Sequence, residues 1–340
     1  MMLVSESRHY QYYKISKGVF AAIARDEGGA FANSGIIDLG DITLIFDTAM
    51  TPTAANDLVA TARRLTNRHH IDYVINSHYH RDHVRGNMIF SAETVIISNR
   101  ETRRLLSSKG RDQLRNDIEQ IPGRLHELER RYAREFQIFE LCERADILRL
   151  LGWHRAALET LSRQKIRLPD ITFDRRMAIN GDKRRAVLIA VDRAHTASDT
   201  ILYLPEENIA FVGDLVAHQR HFWVGELEAT ALEEALNFIE SMQLETIVPA
   251  HGEILHHVPS DIMLNYQQHL FQMTQNATQQ GVPKEEFIKS PCPEPFTHWQ
   301  MKLILYKLNL EALYNACVPS KVDVPDTLAE TSTTTEVDES

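Results

Sequence analysis

The sequence has few cysteines, no long apolar run and no excess of positive charge. Its three cysteines are scattered over 340 residues, without the spacing of a thiolate zinc site or a disulfide framework. A formal net charge of −10 argues against an extended basic surface for nucleic acid. No apolar stretch is long enough to span a membrane, and the first residues lack the apolar core of a signal peptide. We therefore expect a cytoplasmic protein that binds neither nucleic acid nor membrane.

The rest of the composition is that of a globular protein, with 43% hydrophobic and 25% charged residues. Short β-rich runs fill the first third of the chain and return later, which predicts sheets covered by helices. We predict one α/β domain over residues 1–317, with a helical insertion at about 99–165 and C-terminal helices at about 260–317. An acidic disordered tail is expected at 318–340. The insertion either packs on its own domain or forms a homodimer contact.

Five apolar runs lead into an imidazole or a carboxylate. IDYVI is followed by NSHYHRDH, and the other four runs end at Asp47, His195, Asp214 and His251. If the runs lie in sheets with the same polarity, these side chains converge on one rim, where open α/β architectures place their sites. The pattern predicts a polar site at one edge of the sheets.

The stretch NSHYHRDH has the spacing of a metal site. Residues i and i+2 of an extended segment project to the same side, so His78 and His80 can bind one cation together. Asp82 and His83, past the turn, can face a second cation. Imidazole and carboxylate are suitable ligands for zinc, and also for iron or manganese.

Three later residues complete the predicted site. His195 joins the first group, His251 joins the second, and the two oxygens of Asp214 can bridge the cations. Positions left open would accept a water whose pKa the cations lower. We therefore expect two divalent metal ions, Zn²⁺ in the first place, with Fe or Mn as alternatives.

The chain contains, in this order, the motifs HxHxDH, His-Thr, Gly-Asp and PAHG. With this arrangement, residues from about 19 to 251 resemble the metallo-β-lactamase-fold hydrolase superfamily. The resemblance implies a four-layer αββα sandwich with the metal site at one edge of two sheets, and the same seven ligands. The presence of Asp214 is similar to the glyoxalase II, lactonase and phosphodiesterase members. The β-lactamases themselves typically lack that bridging carboxylate.

Several neighbours of the ligands are candidates for further roles. Asp82 could also act as a general acid and base. Asp47 is either a turn cap or an acceptor that fixes a ligand imidazole, and Asp199 either caps its turn or orients Thr196 or a ligand. Substrate contacts are expected from the loop after Asp214 and from the position where the family often has glycine: His218, His221, Trp223 and Arg85. The segment EGGAFAN is a plain hairpin or a flap over the site.

The function predicted is hydrolysis of a small ester, thioester or lactone by a water that two metal ions activate. A phosphodiesterase and a β-lactam hydrolase are alternatives within the same chemistry. An iron-dependent persulfide dioxygenase would instead consume oxygen. A metal-holding scaffold that binds a partner through the insertion is the non-enzymatic alternative.

Overall fold

Two sheets form the centre of the molecule in the computed structural model, which describes residues 1–318 apart from 227 and 229. The tail expected at 318–340 therefore lies outside the described residues except for Val318. The strands are β1 (Met2–Glu6), β2 (Tyr10–Ser16), β3 (Val19–Ala24), β4 (Ser34–Asp38), β5 (Thr43–Phe46), β6 (Tyr73–Ile75), β7 (Val95–Asn99), β8 (Ile171–Phe173), β9 (Arg176–Asn180), β10 (Arg185–Asp192), β11 (Ser198–Leu204), β12 (Ile209–Gly213) and β13 (Thr246–Pro249).

The first sheet follows the chain, in the order β1 to β8, and the second has the order β13-β12-β11-β10-β9. From β1 to β5 neighbouring strands are antiparallel, whereas β5, β6, β7 and β8 run parallel. In the second sheet β12 and β13 are parallel and the other pairs antiparallel. The carboxyl ends of parallel neighbours meet at one edge of a sheet, so residues that follow β5 and β6 lie together, as do those that follow β12 and β13.

Helices cover the outer faces of both sheets. Both ends of helix α1 are capped by suitable residues. At its start the Thr51 side chain accepts a hydrogen bond from the Ala54 N–H, and at its end Asn67 adopts a left-handed conformation. The helices are α1 (Pro52–Thr66), α2 (Arg81–Val84), α3 (Arg100–Ser107), α4 (Lys109–Glu135), α5 (Leu141–Thr160), α6 (Ala231–Ser241), α7 (Ser260–Gln279), α8 (Lys284–Phe287) and α9 (Lys307–Cys317).

Side chains point alternately to the two faces of each sheet. Apolar side chains therefore form separate cores between the sheets and on the outer face of each sheet. Leu202 and Phe211 face the first sheet, where they meet Phe46 and Ile97. Their neighbours on the opposite face of the second sheet pack against α6, α7 and α9. Helix α1 covers the outer face of the first sheet with Leu58 among others. The layers therefore run helix, sheet, sheet, helix, which confirms the predicted αββα order.

Helices α3 to α5 lie between β7 and β8, where the helical insertion was predicted. Leu125 and Phe139 pack against Ile147 and Leu151, so α4 and α5 form a helical hairpin with its own apolar contact. Homodimer formation through this hairpin stays a prediction. No helix in the described part of the chain combines the length and the apolar character needed to cross a membrane.

Candidate metal centre

A short turn after β6 carries four of the seven predicted ligands, and it is fixed by buried amides. The side chains of Asn76 and Asn87 exchange hydrogen bonds of 3.1 and 2.8 Å. Thr48 donates its hydroxyl to Asn87 Oδ1, at 2.9 Å, and to the His83 carbonyl, at 3.0 Å. Gly86 passes close beneath, since a Cβ there would lie 1.9 Å from the Thr48 carbonyl oxygen. This turn therefore has little freedom to move its histidines.

The first group of potential metal ligands contains three imidazoles and one carboxylate. The Nδ1 atom of His80 lies 3.2 Å from Nε2 of His195, and the ring of His78 is 4.7 Å from that of His80. His195 Nε2 is 3.4 Å from Asp214 Oδ2. One ligand atom from each of these four residues falls within 4.8 Å of the others, so the group could hold a metal ion.

The second group consists of Asp82, His83 and His251, which together could hold another ion. His251 Nε2 lies 3.3 Å from Asp82 Oδ2. Asp214 also reaches this group, with 3.3 Å from its Oδ1 to His83 Nε2 and 3.5 Å from its Oδ2 to His251 Nε2. Because this carboxylate contacts imidazoles of both groups, it has the position of a bridge between two cations.

Three imidazoles have a partner on their outer side, which orients the other ring nitrogen towards the site. His83 donates Nδ1–H to Asp47 Oδ2 at 2.7 Å, and His251 donates Nδ1–H to the Phe31 carbonyl at 3.2 Å. His80 Nε2 faces Glu226, whose Oε1 is 3.7 Å away. In each ring the other nitrogen points into the site, where a cation could bind it. Such outer partners orient imidazole ligands in metal sites.

Asp47 is one of the two residues predicted to lie beside the ligands. It forms hydrogen bonds both with His83 and with the backbone and side chain of the turn. Its oxygens accept hydrogen bonds from the Ser77 N–H and hydroxyl, both at 2.7 Å. The residue is fully buried with φ +59°, a left-handed conformation that aspartate tolerates better than most residues. Backbone strain of this kind persists only where the surroundings fix it.

Asp199 acts on the loop that carries His195. Its Oδ2 accepts the N–H groups of His195 and Thr196 at 3.1 and 3.0 Å, and its Oδ1 accepts the Thr196 hydroxyl at 3.0 Å. It therefore caps the turn and orients Thr196, which are two of the roles predicted for it. Burial raises the pKa of this carboxyl to about 6.

The chemistry of the donors fits divalent cations. Burial lowers the pKa of His78 and brings that of His195 to about 4, so both imidazoles are neutral and can donate a lone pair. Nε2 of His78, Nε2 of His83 and Oδ1 of Asp214 are buried, and no described residue forms a hydrogen bond with them. Buried polar atoms of this kind are costly unless something binds them. Two cations among these donors would satisfy them.

A cavity of about 330 Å³ opens onto the ligands, and we name it the chamber. Its walls come from separate parts of the chain and are mainly apolar. Arg81, which also borders it, lies 4.6 Å from the centre of the Trp153 ring and pairs with Asp117 of α4 at 2.7 Å. The apolar wall residues are Phe31, Met50, Trp153, Val216, Ala217, Phe222, Trp223, Met301, Ile304, Leu305 and Leu308.

The four predicted substrate contacts lie in different places. Trp223 lines the chamber, whereas His218 is exposed in a neighbouring groove. His221 borders the chamber, but its Nδ1 accepts from the Tyr266 hydroxyl at 2.7 Å and its Nε2 donates to the Phe296 carbonyl at 3.2 Å. Both nitrogens are thus used in packing the loop onto the C-terminal helices.

Arg85 is the fourth of these residues, and it turns away from both cavities. It is 4% exposed and pairs with Asp117 at 3.0 Å. Neither cavity is lined by it in the described part of the chain. The substrate contact expected here is therefore replaced by an ion pair between the metal turn and the insertion. Arg85 lies next to the ligands in the sequence, but this position does not determine where its long side chain points.

Sequence reasoning missed several residues around the ligands. Glu226 accepts the Tyr79 hydroxyl at 2.5 Å while facing His80, and Trp153 of α5 reaches the chamber from the insertion. No local motif marks either residue. EGGAFAN supplies more than a hairpin, because Phe31 contacts His251 and lines the chamber.

Comparison with known proteins identifies the family. The sequence model of the metallo-beta-lactamase superfamily matches residues 28–251, and the chain belongs to this superfamily. The fold predicted from the motifs is thereby confirmed. No curated protein matches the chain.

Solved structures with the same fold share little sequence with this chain. A metallo-beta-lactamase from Pontibacter korlensis is 13% identical, with a TM-score of 0.53 over 76% of this chain and 99% of its own. TMB-1 has 13% identity and a TM-score of 0.53, covering 77% and 98%. DIM-1 metallo-beta-lactamase, in a structure exposed to ceftazidime, has 13% identity and a TM-score of 0.54, covering 78% and 99%. At this identity the likeness concerns the fold.

Proposed function

We propose that this protein is a metal-dependent hydrolase that holds two divalent cations and acts on an ester, thioester or lactone. The observation that carries the proposal is the position of Asp214, within 3.5 Å of imidazole nitrogens from both ligand groups. A bridging carboxylate between two such groups is typical of two-metal hydrolytic sites. Zn²⁺ suits the five imidazoles and two carboxylates, and Fe or Mn are alternatives.

The residues of the chain have distinct roles in this proposal. His78, His80 and His195 would hold one cation and Asp82, His83 and His251 the other. The cations would supply Lewis acidity and lower the pKa of a water enough for attack near neutral pH. Asp82 lines the chamber beside His251, so it is placed to take up a proton and pass it to the leaving group.

The walls of the chamber support an organic acyl compound with an apolar part. Eleven of its lining residues are apolar, and Arg81 is already paired with Asp117. Such walls suit an apolar acyl chain better than a second charged ester arm of a phosphodiester. The β-lactam, phosphodiester and persulfide alternatives remain as competing outcomes of the test below.

The test combines metal analysis with a substrate panel. Purified protein is analysed for bound metals and then assayed with thioester, ester, lactone, phosphodiester and β-lactam substrates, while oxygen uptake is followed with a thiol persulfide. We expect two ions per chain and hydrolysis of the acyl compounds, both lost after chelation. The Asp82→Ala variant serves as the control for contaminating activity. Metal-independent turnover, or oxygen uptake instead of hydrolysis, would overturn the proposal.

A further inference from the structure

A buried arginine, which has no ion-pair partner among the residues that the structure describes, lies between the chamber and a second cavity. That second cavity, the groove, has a volume of about 1520 Å³ and is lined by Asp26, Glu140, His218, Arg220, His251 and Glu253 among others. Arg220 and His251 are the two residues that line both cavities. A compound bound across the two cavities would therefore lie next to the candidate ligand His251 and the guanidinium of Arg220.

The Arg220 side chain is 8% exposed, and its Nε has no hydrogen-bond partner within the described part of the chain. Asp26, Asp146 and Glu253 act on it only from beyond ion-pair distance, and the first two pair with Arg149 instead. Burial lowers its pKa to about 9, so the group is still protonated at neutral pH. A buried charge that lacks a partner is destabilising, and such a group is retained where it binds something.

Local structure makes room for this guanidinium beside the metal centre. Gly252 directly follows His251 and has φ +92°, and a Cβ at that position would lie 3.3 Å from Arg220 Nε. The backbone around Arg220 is held in place on the other side, since the His221 N–H donates to the Gln300 carbonyl at 2.9 Å. The arginine is therefore fixed next to the turn that carries a ligand.

We propose that Arg220 binds a carboxylate of the substrate, so that the hydrolysed compound has an apolar acyl part in the chamber and a carboxylate at the entrance of the groove. This inference rests on the proposed hydrolase function. A guanidinium offers two parallel N–H donors that match the two oxygens of a carboxylate. Arg220 would thus be a specificity-determining residue that aligns the scissile bond with the metal centre.

The charges of the groove suit a singly charged carboxylate better than a doubly charged phosphate monoester. Asp26, Glu140 and Glu253 line the same cavity as Arg144 and Arg220. A doubly charged phosphate monoester would be repelled by these acids more strongly than a singly charged carboxylate. A single negative charge is also what one unpaired guanidinium neutralises.

The test compares two esters of equal size, 3-carboxyphenyl butanoate and its neutral isostere 3-carbamoylphenyl butanoate. For the metal-loaded protein we expect kcat/KM to be roughly 10- to 100-fold higher for the carboxylate ester, as for one charged hydrogen-bonding pair. The preference should disappear in Arg220→Gln, mainly through KM, and partly return in Arg220→Lys. Arg185→Gln, at the far end of β10, removes the same charge from an exposed position and should keep the preference.

A binding measurement separates this inference from the hydrolase function. Calorimetric titration of metal-loaded protein with 3-hydroxybenzoate and 3-hydroxybenzamide requires no turnover. Tighter binding of the carboxylate by the wild type but not by Arg220→Gln supports the site even if neither ester is hydrolysed, in which case only the function fails. Metal content and circular dichroism verify that the variants are folded. Equal affinities in the wild type, or a preference that persists in Arg220→Gln, would overturn the inference.

Discussion

The metal centre and the walls of the chamber are built in contrasting ways. All seven candidate ligands lie on the turn after β6 or just past the ends of sandwich strands, and buried hydrogen bonds of Asp47 fix the turn and His83. Most of the chamber walls come instead from the Phe31 turn, the insertion, the loop after β12 and the residues around the start of α9. Cation binding is thus tied to the shared fold, whereas the shape of the substrate cavity depends on segments added around it. Changes in the two regions should therefore have separable effects.

The largest effect is expected from Asp214→Ala, which removes the carboxylate shared by both ligand groups. We expect loss of bound metal and a fall in kcat of more than about 100-fold, because even outer partners of ligands contribute 10- to 100-fold. Metal analysis and steady-state kinetics measure both quantities. Asp192→Asn, an exposed aspartate at the end of β10, is the matched control. Full metal content together with wild-type turnover in Asp214→Ala would contradict the role of the bridge.

Asp47→Asn should weaken the metal centre without dismantling it. Asparagine tolerates the left-handed conformation of this residue, so the change mainly removes an acceptor for His83 Nδ1–H. Metal affinity is expected to fall roughly 10- to 100-fold. Competition with a chromogenic chelator gives the affinity, and excess metal should restore part of the activity. An unchanged affinity would mean that Asp47 serves only the turn.

Leu308→Ala tests the walls of the chamber alone. This side chain is 48% exposed and lines the chamber, so its truncation should leave metal content unchanged. We expect kcat/KM for an apolar acyl ester to fall roughly 3- to 10-fold, from the loss of partly buried methylene groups. Leu158→Ala, which is 43% exposed on the insertion and outside the chamber lining, provides the comparison. Equal effects of the two changes would remove Leu308 from the substrate site.

We expect the smallest effect on turnover from Asp146→Asn. Its effect on the free energy of unfolding should depend on pH. Burial raises the pKa of this carboxyl to about 6, against the opposing influence of Arg149. Between about pH 4 and 6 the folded protein therefore holds a proton at this site that the unfolded chain releases. This contribution to the free energy of unfolding must fall as pH rises through that window, by at most about 1.4 kcal/mol per pH unit.

Urea unfolding of metal-free protein at pH 4, 5 and 6 measures this dependence. The difference in the free energy of unfolding between wild type and Asp146→Asn should decrease with pH. A difference that does not change with pH would show that the carboxyl does not titrate in this range.

The layers predicted from the sequence are confirmed, and the residues predicted as ligands lie together in two groups, because both features follow from local rules. Alternating apolar runs give strands, and strand ends place His195, Asp214 and His251 at one edge. Contacts between distant segments could not be predicted in this way. Arg85 turns to Asp117 of the insertion, and His221 is used by Tyr266, since both partners approach only after the helical layers have packed. Side-chain direction at such positions depends on the tertiary structure.

Asp146 joins two of the walls that the chamber needs. Its oxygens accept the Met301 and Leu303 N–H groups at 2.6 and 3.0 Å, so a residue of the insertion caps the segment that leads into α9. A shift of the insertion should therefore displace the C-terminal segment as well. We expect an enlarged cavity to require coordinated changes in both segments rather than an extension of one loop.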